Sequence, residues 1–329
     1  MEDRLRDMND DGKTDAPPFT TGNSISLALK GAAMGAANVI PGVSGGTIAL
    51  ISGIYEELIH TLKSFDREAL QLVIQRRFRD AFEHVNGRFV CILSIGLVIS
   101  WFSLAKLFKH LLAAERTEIF TMAFFFGLIG ASIFAVGQRV PRWGLQHVAL
   151  LLLGAAVAGG IAFVPHAGEI TSPFYIFLCG AIAMSAMILP GISGSFILLL
   201  MGAYLHVLTA ISDFNFAVLI PFALGCITGL LAFSRALSFI LKKFHDATLA
   251  LLTGFVAGSL AVIWPWKTEI KSTHAIGGKT KEIVKGYDWY LPVTDNDLLL
   301  ALLLIVTGAG LVPLLEHIAR ADDSPADGE

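Results

Sequence analysis

Two serines in this chain, Ser44 and Ser193, each follow a Pro-Gly pair inside an apolar run. The first copy of the motif reads PGVSGGTIALISGIY from Pro41, and the second reads PGISGSFILLLMGAY from Pro190, so the copies align without a gap. Pro and Gly interrupt a helix, and Ser is a favoured N-cap of the helix that follows. Free amide groups and a partial positive charge at such a helix start suit an anion, phosphate above all. The motif therefore predicts two anion-binding helix ends.

Small and hydroxyl-bearing residues near each serine strengthen that prediction. Gly45, Gly46 and Gly194 would let a ligand approach the backbone closely, and the hydroxyls of Thr47 and Ser195 add hydrogen-bond donors. Two such ends facing each other would form an uncharged cradle for a phosphate group. The alternative is structural, with Ser satisfying backbone groups that lipid cannot. Duplication favours the functional interpretation, because non-helical backbone at membrane depth lines a cavity or lies inside the protein.

Charged residues within apolar runs are further candidates, since they are costly in lipid and usually face a polar partner. Arg235 lies about two turns inside the end of its run, where it either snorkels to the headgroups or binds phosphate in bidentate fashion. Lys30 lies at similar depth before the first motif, with the same two interpretations. Glu56 follows the first motif, whereas its counterpart in the second copy is Leu205. This asymmetry makes Glu56 a candidate for proton coupling, a solvated helix end being the alternative.

The composition is that of a membrane protein. Of the 329 residues, 54% are hydrophobic and 16% are charged, against about 25% charged residues in soluble domains. The basic residues are dispersed, which argues against nucleic-acid binding. Cys91, Cys179 and Cys226 form no Cys-x-x-Cys pair, and the histidines lack metal-ligand spacing, so we expect neither a disulfide framework nor a metal site.

The apolar runs define the elements that must position these residues. Six runs approach the ~20 residues that cross a bilayer. They lie at about 88–112, 117–138, 144–165, 215–241, 246–264 and 297–318. The two motif regions, about 24–62 and 173–211, are longer, and Pro-Gly splits each into two arms. Each region is either a re-entrant helical hairpin or a pair of short spans, and either way it returns the chain to the side from which it entered.

Each half of the chain then holds one motif region and three spans. This odd number of net crossings turns the second half upside down relative to the first, which predicts an inverted repeat. The predicted fold is an all-α polytopic membrane protein. Its parts are a polar cytoplasmic tail (1–23), a first repeat (24–165), a second, inverted repeat (173–318) and a second polar tail (319–329). A weaker echo, Gly127–Ser132 with Gly254–Ser259, supports the pairing, although such runs are also ordinary packing signals.

Basic residues orient the chain by the positive-inside rule. The 63–88 loop alone carries six Lys or Arg, so we expect this loop and both termini on the cytoplasmic side of the cytoplasmic (inner) membrane. The 265–296 loop, with five lysines on the opposite side, departs from the rule. In this orientation the first motif enters from the cytoplasm and the second from outside, so that the two Pro-Gly tips would meet near the middle.

Several of these stretches are similar to one known family. The sequence from Gly31 to Ile40 with the PGVSGGT that follows it, the second PGISGS and the late Trp264-Pro265-Trp266 resemble the PopT family. Members of that family move polyprenyl phosphate, the lipid carrier of envelope polysaccharide synthesis, across the cytoplasmic membrane. The resemblance covers about residues 24–318 and implies that this chain returns undecaprenyl phosphate from the outer to the inner leaflet. Alternating access about the repeat interface would do this without a covalent step or a cofactor, with a proton or sodium gradient as the candidate driving force.

The resemblance also implies which residues bind the lipid phosphate. The family's motif carries over onto Asn38, Pro41, Gly42, Ser44, Gly45, Gly46, Thr47, Pro190, Gly191, Ser193, Gly194 and Ser195. Phe196 stands where the first copy has Thr47, so the two tips need not bind equally. Loosely packed Gly-rich helices would open a lateral path for the lipid tail. Trp264-Pro265-Trp266 fits an interfacial aromatic anchor, to which we assign no chemistry.

Three other functions use a similar motif. Undecaprenyl pyrophosphate phosphatases of one membrane class carry a Pro-Gly-x-Ser turn followed by Arg, whereas Gly45 and Gly194 follow the serines here. Phosphoryl transfer depends on neutralising the transferring oxygens, and this motif has no cation of its own. An intramembrane serine protease needs a base, and the only histidine in the second motif region is His206, thirteen positions past Ser193. We therefore predict a transporter and not an enzyme, with a phosphatase or a small-anion transporter as the alternatives.

Overall fold

The apolar runs of the sequence fold into helices. The computed structural model describes residues 21–39, 43–112, 114–163, 172–276, 279–292 and 296–323. In chain order the helices are α1 (Thr21–Val39), α2 (Gly45–Ile51), α3 (Tyr55–Lys63), α4 (Arg67–Ile74), α5 (Phe78–His84), α6 (Gly87–Leu111), α7 (Glu115–Gly137), α8 (Leu145–Gly160), α9 (Pro173–Ile188), α10 (Gly194–Leu200), α11 (Tyr204–Ser212), α12 (Phe216–Lys243), α13 (His245–Ile263) and, after two strands, α14 (Asn296–Asp323).

In the described part of the chain, four helices are long and apolar enough to cross a membrane. Their spanning stretches are Gly87–Leu104 in α6, Arg116–Gly137 in α7, Phe216–Lys243 in α12 and His245–Ile263 in α13. The helices α8, α9 and α14 contain shorter apolar stretches. All six predicted spans are helical, and their bounds agree with the prediction to within a few residues. The chain is thus a multi-pass membrane protein.

Each motif region is broken twice and not once. The second arm, predicted as one helix, is two short helices: α2 and α3 in the first copy, and α10 and α11 in the second. The extra break lies at the glycine of each Gly-x-Tyr, where Gly53 and Gly202 have φ values of 78° and 67°. Such left-handed backbone is open to glycine and ends a helix. As a result α10 and α11 meet at 110°, and a half-helix of seven residues lies between the two breaks.

The long helices associate in four pairs. Within the first half α1 packs along α6, and within the second half α9 packs along α12. The other two pairs join the halves, because α8 packs along α13 and α14 packs along α7. A bidentate ion pair links the starts of α7 and α14, with Arg116 Nη2 at 2.7 Å from Asp297 Oδ1 and Arg116 Nε at 2.9 Å from Asp297 Oδ2.

Glycines bring the backbones of these pairs into contact. A Cβ atom on Gly96 would lie 2.0 Å from the carbonyl oxygen of Ala28, where α6 crosses α1. A Cβ atom on Gly127 would lie 1.9 Å from the carbonyl oxygen of Ile305, where α7 crosses α14. Small residues at crossings permit such close packing in membranes. The expectation of loosely packed Gly-rich helices is therefore wrong, and the path predicted for a lipid tail is closed at these crossings.

The lysine-rich loop near the end of the chain contains an element that the all-α prediction misses. The strands β1 (Lys267–Ile276) and β2 (Lys279–Trp289) form an antiparallel hairpin. Trp266, just before β1, is only 8% exposed and packs with Ala123 and Ala301. The predicted interfacial anchor is therefore wrong for this side chain, which belongs to the protein core.

The basic segment between α3 and α6 forms two short helices, α4 and α5, with apolar side chains on the outside. The exposed apolar residues are Leu70, Val73, Ile74, Phe78 and Phe82. Asp66 caps α4 by accepting hydrogen bonds from the amides of Glu68 (2.9 Å) and Ala69 (3.0 Å). Burial alone would raise the pKa of Asp66, but these bonds and the contact with His84 hold that pKa below its usual value. Basic residues beside exposed apolar ones are typical of a segment that lies on a membrane surface.

Candidate functional site

The first motif starts a helix at the predicted serine. Ser44 is the N-cap of α2, and its Oγ accepts a 3.2 Å hydrogen bond from the Gly46 amide. Asn38, near the end of α1, accepts a 2.8 Å hydrogen bond from the Gly45 amide through Oδ1. Ser44 is 3% exposed, and its hydroxyl also donates to the carbonyl oxygen of Leu189 at 3.5 Å. Side chains of the first motif region thus occupy two of the amides at this helix start.

Side chains of the first motif contact the backbone of the second motif region. Thr47 Oγ1 accepts a 2.9 Å hydrogen bond from the Gly191 amide. The hydroxyl of Tyr55, the last residue of the first motif, donates to the carbonyl oxygen of Ile188 at 3.2 Å. Thr47 and Tyr55 are each 1% exposed. The tips of the two motif regions therefore meet, and this tip contact is buried on the side of the first motif.

Of the glycines predicted to admit a ligand, Gly46 and Gly194 instead face protein backbone, and Gly45 faces the side chain of Asn38. A Cβ atom on Gly46 would lie 2.8 Å from the carbonyl oxygen of Ile188. Gly191 has a φ of 80°, and a Cβ atom there would lie 2.4 Å from the carbonyl oxygen of Phe255. Gly194 is packed against α9 in a similar way. In this conformation the glycines therefore serve the tip contact and its surroundings.

The Pro-Gly break itself is described only in the second copy. There the chain turns at Pro190 and Gly191, and the Ile192 amide donates a 3.4 Å hydrogen bond to the carbonyl oxygen of Leu189. Pro190 is buried. Its counterpart Pro41, and Gly42 beside it, are predicted binding residues that lie outside the described part of the chain.

The start of the second half-helix is more open than that of the first. Ser193 is the N-cap of α10, but its hydroxyl lies 2.9 Å from that of Ser195 and caps no amide. Ser193 is half-buried and Ser195 is exposed. Together with Phe196 and Val262, Ser193 lines a small pocket. Among the serine and threonine residues predicted to bind, the accessible hydroxyls thus belong to the second copy.

The sequence places two cations as candidates, and the hydrogen bonds of one of them, Arg235, go to residues outside the tip contact. Arg235 donates from Nη1 to the carbonyl oxygen of Leu231 and from Nη2 to that of Phe65, both at 2.8 Å. It thereby ties α12 to the connection between α3 and α4. Lys30 is half-buried on α1, eight residues before Asn38, which places the two Cα atoms about 12 Å apart along the helix.

Glu56 contacts the second half of the chain. Its Oε1 lies 3.1 Å from Nε2 of His245, the first residue of α13. The other ring nitrogen of His245 lies 3.2 Å from Oδ1 of Asp246. The carboxylate that follows the first motif is therefore a partner of an imidazole on the other half, which the sequence pattern did not indicate.

Sequence analysis missed Arg139, which contacts the far end of the first half-helix. Its guanidinium donates to the carbonyl oxygens of Leu50 (2.9 Å) and Ile51 (3.0 Å), the last two residues of α2. At the end of α10, the Tyr175 hydroxyl donates to the Met201 carbonyl oxygen at 2.8 Å. A cation at a helix C-terminus satisfies its orphan carbonyls and favours its dipole. No sequence signal brings residue 139 next to residue 50, so only the structure identifies this role.

The chain is similar to known proteins over most of its length. A polyprenyl-phosphate transporter of Vibrio cholerae serotype O1 is 39% identical over 305 residues, which cover 91% of this chain and 98% of that protein. A polyprenyl-phosphate transporter of Staphylococcus aureus is 35% identical over 255 residues, or 72% of this chain and 85% of that protein. Both relatives are named as transporters and not as enzymes. No solved structure matches the chain.

A family model agrees with these relatives. It is described as VCA0040-like, undecaprenyl phosphate translocase-like, and it matches residues 34–281, which include both motifs and the helices between them. This match covers well over half of the chain, and the resemblance seen in the two motifs points the same way. The chain belongs to the VCA0040-like family of undecaprenyl phosphate translocase-like proteins.

Proposed function

We propose that the protein moves polyprenyl phosphate, in the form of undecaprenyl phosphate, from the outer to the inner leaflet of the cytoplasmic membrane. The names of its relatives support this substrate. The observation that carries the proposal is the tip contact, in which Thr47 and Tyr55 of the first motif bond the backbone of the second motif region. The starts of the two matched half-helices meet at this contact. A phosphate group there can bind to the helix start of either motif.

An inverted repeat is part of this proposal, with repeats at 24–165 and 173–318. The pairing of helices supports it, because α1 with α6 has the counterpart α9 with α12, and α7 with α14 has the counterpart α13 with α8. The small-residue echo supports it as well. Ser132 donates to the Ile129 oxygen at 2.6 Å and Ser259 donates to the Val256 oxygen at 2.8 Å, and both serines are buried.

In the proposed orientation the termini and the basic α4–α5 segment face the cytoplasm. The six basic residues of 63–88 and the exposed apolar side chains of α4 and α5 support this placement at the inner membrane surface. The β-hairpin then lies outside, and the second motif enters from that side.

Alternating access is proposed because the hydroxyls of the second tip are accessible and those of the first tip are buried. The open hydroxyls of Ser193 and Ser195 would receive the phosphate from the outer side while the first tip is closed. Breaking the tip contact would free Thr47 and Ser44, and the phosphate would pass to the first helix start. Asn38, the glycines and the two break prolines would shape this path, and Lys30 and Arg235 would meet the phosphate only after a rearrangement.

Coupling to an ion gradient is the last part of the proposal. Glu56 stands directly after the first motif and pairs with His245 at the start of α13. A proton exchanged at this pair would loosen the link between the first motif region and the second half. The same movement would separate the tips of the two motif regions. Proton entry and lipid release would then be linked.

The test is leaflet exchange of labelled undecaprenyl phosphate in proteoliposomes, with protein-free vesicles as the reference. We expect exchange that requires the protein, and no phosphate release from undecaprenyl pyrophosphate. Phosphate release would indicate the phosphatase alternative. Sulfate or phosphate flux without lipid exchange would indicate a small-anion transporter, and either result would overturn the proposal.

A further inference from the structure

An open apolar groove lies beside the second motif. It has a volume of about 510 Å³ and runs between α7, the short 3-10 turn Ile161–Phe163, the end of α13 and the residues that follow β2. Its walls are aromatic and aliphatic side chains. Those used below are Phe126, Phe163, Leu260, Trp264, Trp289 and Leu291.

The walls of the groove are mostly aromatic rings, and the indole N–H groups of both its tryptophans are hydrogen-bonded. Trp264 donates its indole N–H to the carbonyl oxygen of Tyr290 at 3.1 Å, and Trp289 donates to that of Ala261 at 2.9 Å. The ring centroids of Phe163 and Trp289 are 4.9 Å apart. The described lining residues carry no charge, so this surface suits a hydrocarbon.

Residues that line the groove are sequence neighbours of residues that line the small pocket at the second motif. Ile161 and Val262 line the small pocket that contains Ser193, and their near neighbours Phe163 and Ala261 line the groove. The small pocket, with Ser193 in its wall, and the apolar groove therefore lie along the same two segments. That order of surfaces matches an amphiphile with a phosphate at one end and a hydrocarbon chain at the other.

Phe196 lies where the two pockets approach each other. It lines the small pocket and packs in the cluster of Val262, Tyr287 and Trp289. In the first copy this position is Thr47, which bonds the opposite tip. The replacement of a hydroxyl by an aromatic ring thus extends the apolar surface up to the second tip.

We propose that this groove binds the isoprenoid chain of the lipid whose phosphate lies at Ser193 and Ser195. The inference rests on the proposed function and adds to it where the tail goes. The glycine crossings described above are closed by backbone contact, whereas the groove is open. Phe163 and Leu291, which are 67% and 81% exposed, are the side chains that a bound chain would cover first.

The experiment uses the full chain in nanodiscs and a polyprenyl phosphate with a photoreactive group on an isoprene unit near the phosphate. We expect cross-links to residues 260–264 and 289–291 that unlabelled polyprenyl phosphate suppresses and phosphatidylglycerol does not. Suppression by phosphatidylglycerol to the same degree would assign the groove to ordinary membrane lipid and overturn the proposal. Cross-links confined to other helices would also overturn it.

Binding measurements distinguish the contribution of the isoprenoid tail to affinity from that of the phosphate headgroup. Phe163→Ala together with Leu291→Ala should weaken polyprenyl phosphate binding by about tenfold or more, because less apolar surface is covered. The affinity for isopentenyl phosphate, which has almost no tail and is measured by competition, should be the same in this variant as in the wild type. The control is Phe174→Ala, a similarly exposed phenylalanine (71%) at the start of α9 that does not line the groove. Equal affinities in the groove variant and the control would overturn the inference.

The two proposals fail in different ways. Wild-type protein that exchanges undecaprenyl phosphate, with groove variants that bind and cross-link like the control, removes the groove and leaves the proposed function intact. Wild-type protein that neither binds nor exchanges the lipid removes the proposed function, and the inference about its tail falls with it.

Discussion

The residues of the two motifs differ in burial and in hydrogen bonding. Ser44, Thr47 and Tyr55 of the first motif are buried and bonded, whereas Ser193 and Ser195 of the second are accessible. The sequence indicated the helix starts, because Pro-Gly followed by Ser is a local signal. It could not indicate that first-copy side chains bond second-copy backbone, since that depends on how the two halves pack.

Thr47→Val tests the tip contact. The valine has a similar shape but leaves the Gly191 amide without its acceptor, which should lower the free energy of unfolding by about 1–2 kcal/mol. Thermal unfolding of the purified protein in detergent measures the loss. Thr228→Val, which removes a hydroxyl bonded only within its own helix on the exposed face of α12, is the control and should have little effect.

Arg139→Met tests the cation at the end of α2. Loss of two charge-assisted hydrogen bonds to Leu50 and Ile51 should destabilise the first half-helix by about 2–3 kcal/mol and slow leaflet exchange. The matched variant is Arg142→Met in the same turn, where the side chain is exposed. Equal stability and equal exchange rates in the two variants would contradict the assigned role.

At the scale of elements, long spans were predictable and irregular elements were not. Six runs of about twenty apolar residues have no alternative in a bilayer, so their helices match the prediction. The second break in each motif region was missed although Gly53 and Gly202 were visible, because a glycine inside an apolar run is also a common packing residue. The β-hairpin was missed because charged loops outside the membrane carry no hydropathy signal.

Two glycines on α7 distinguish the effect of close helix packing on stability from the effect of helix propensity. Gly127→Ala places a methyl group against the Ile305 carbonyl oxygen and should destabilise the contact of α7 with α14 by about 1–3 kcal/mol. Gly130→Ala, one turn later on α7, meets no atom within 4 Å and should be neutral or stabilising by up to about 1 kcal/mol. Unfolding curves of the two variants, measured side by side, give the comparison. A smaller loss for Gly127→Ala than for Gly130→Ala would contradict the close crossing.

At the scale of the whole molecule, the two halves are joined at three levels. Helix pairs cross between them, the motif tips bond at their contact, and Glu56 meets His245 beyond the tips. The sequence predicted two facing tips from the duplication alone. Phe65, His245 and Leu50 lie far along the chain from their partners Arg235, Glu56 and Arg139, so no spacing rule could supply these contacts.

Glu56→Gln tests whether the whole molecule is coupled to protons. An amide cannot release a proton, so lipid exchange by the variant should persist without a gradient and should gain no acceleration from an imposed pH difference. Exchange in proteoliposomes with and without that difference measures this. Glu57→Gln, at the neighbouring carboxylate, should keep the acceleration. Full acceleration of the Glu56 variant would remove this pair from the coupling mechanism.

The central claim is that the paired motif tips carry the lipid phosphate, and leaflet exchange of labelled undecaprenyl phosphate tests it most directly. The comparison is between wild-type protein, the double variant Ser193→Ala with Ser195→Ala, and Ser212→Ala, an exposed serine at the end of α11 whose hydroxyl bonds its own helix. We predict that the double variant inserts and folds like the wild type but loses most of its exchange, while Ser212→Ala retains it. Wild-type exchange rates in the double variant would contradict the claim that the second tip receives the phosphate.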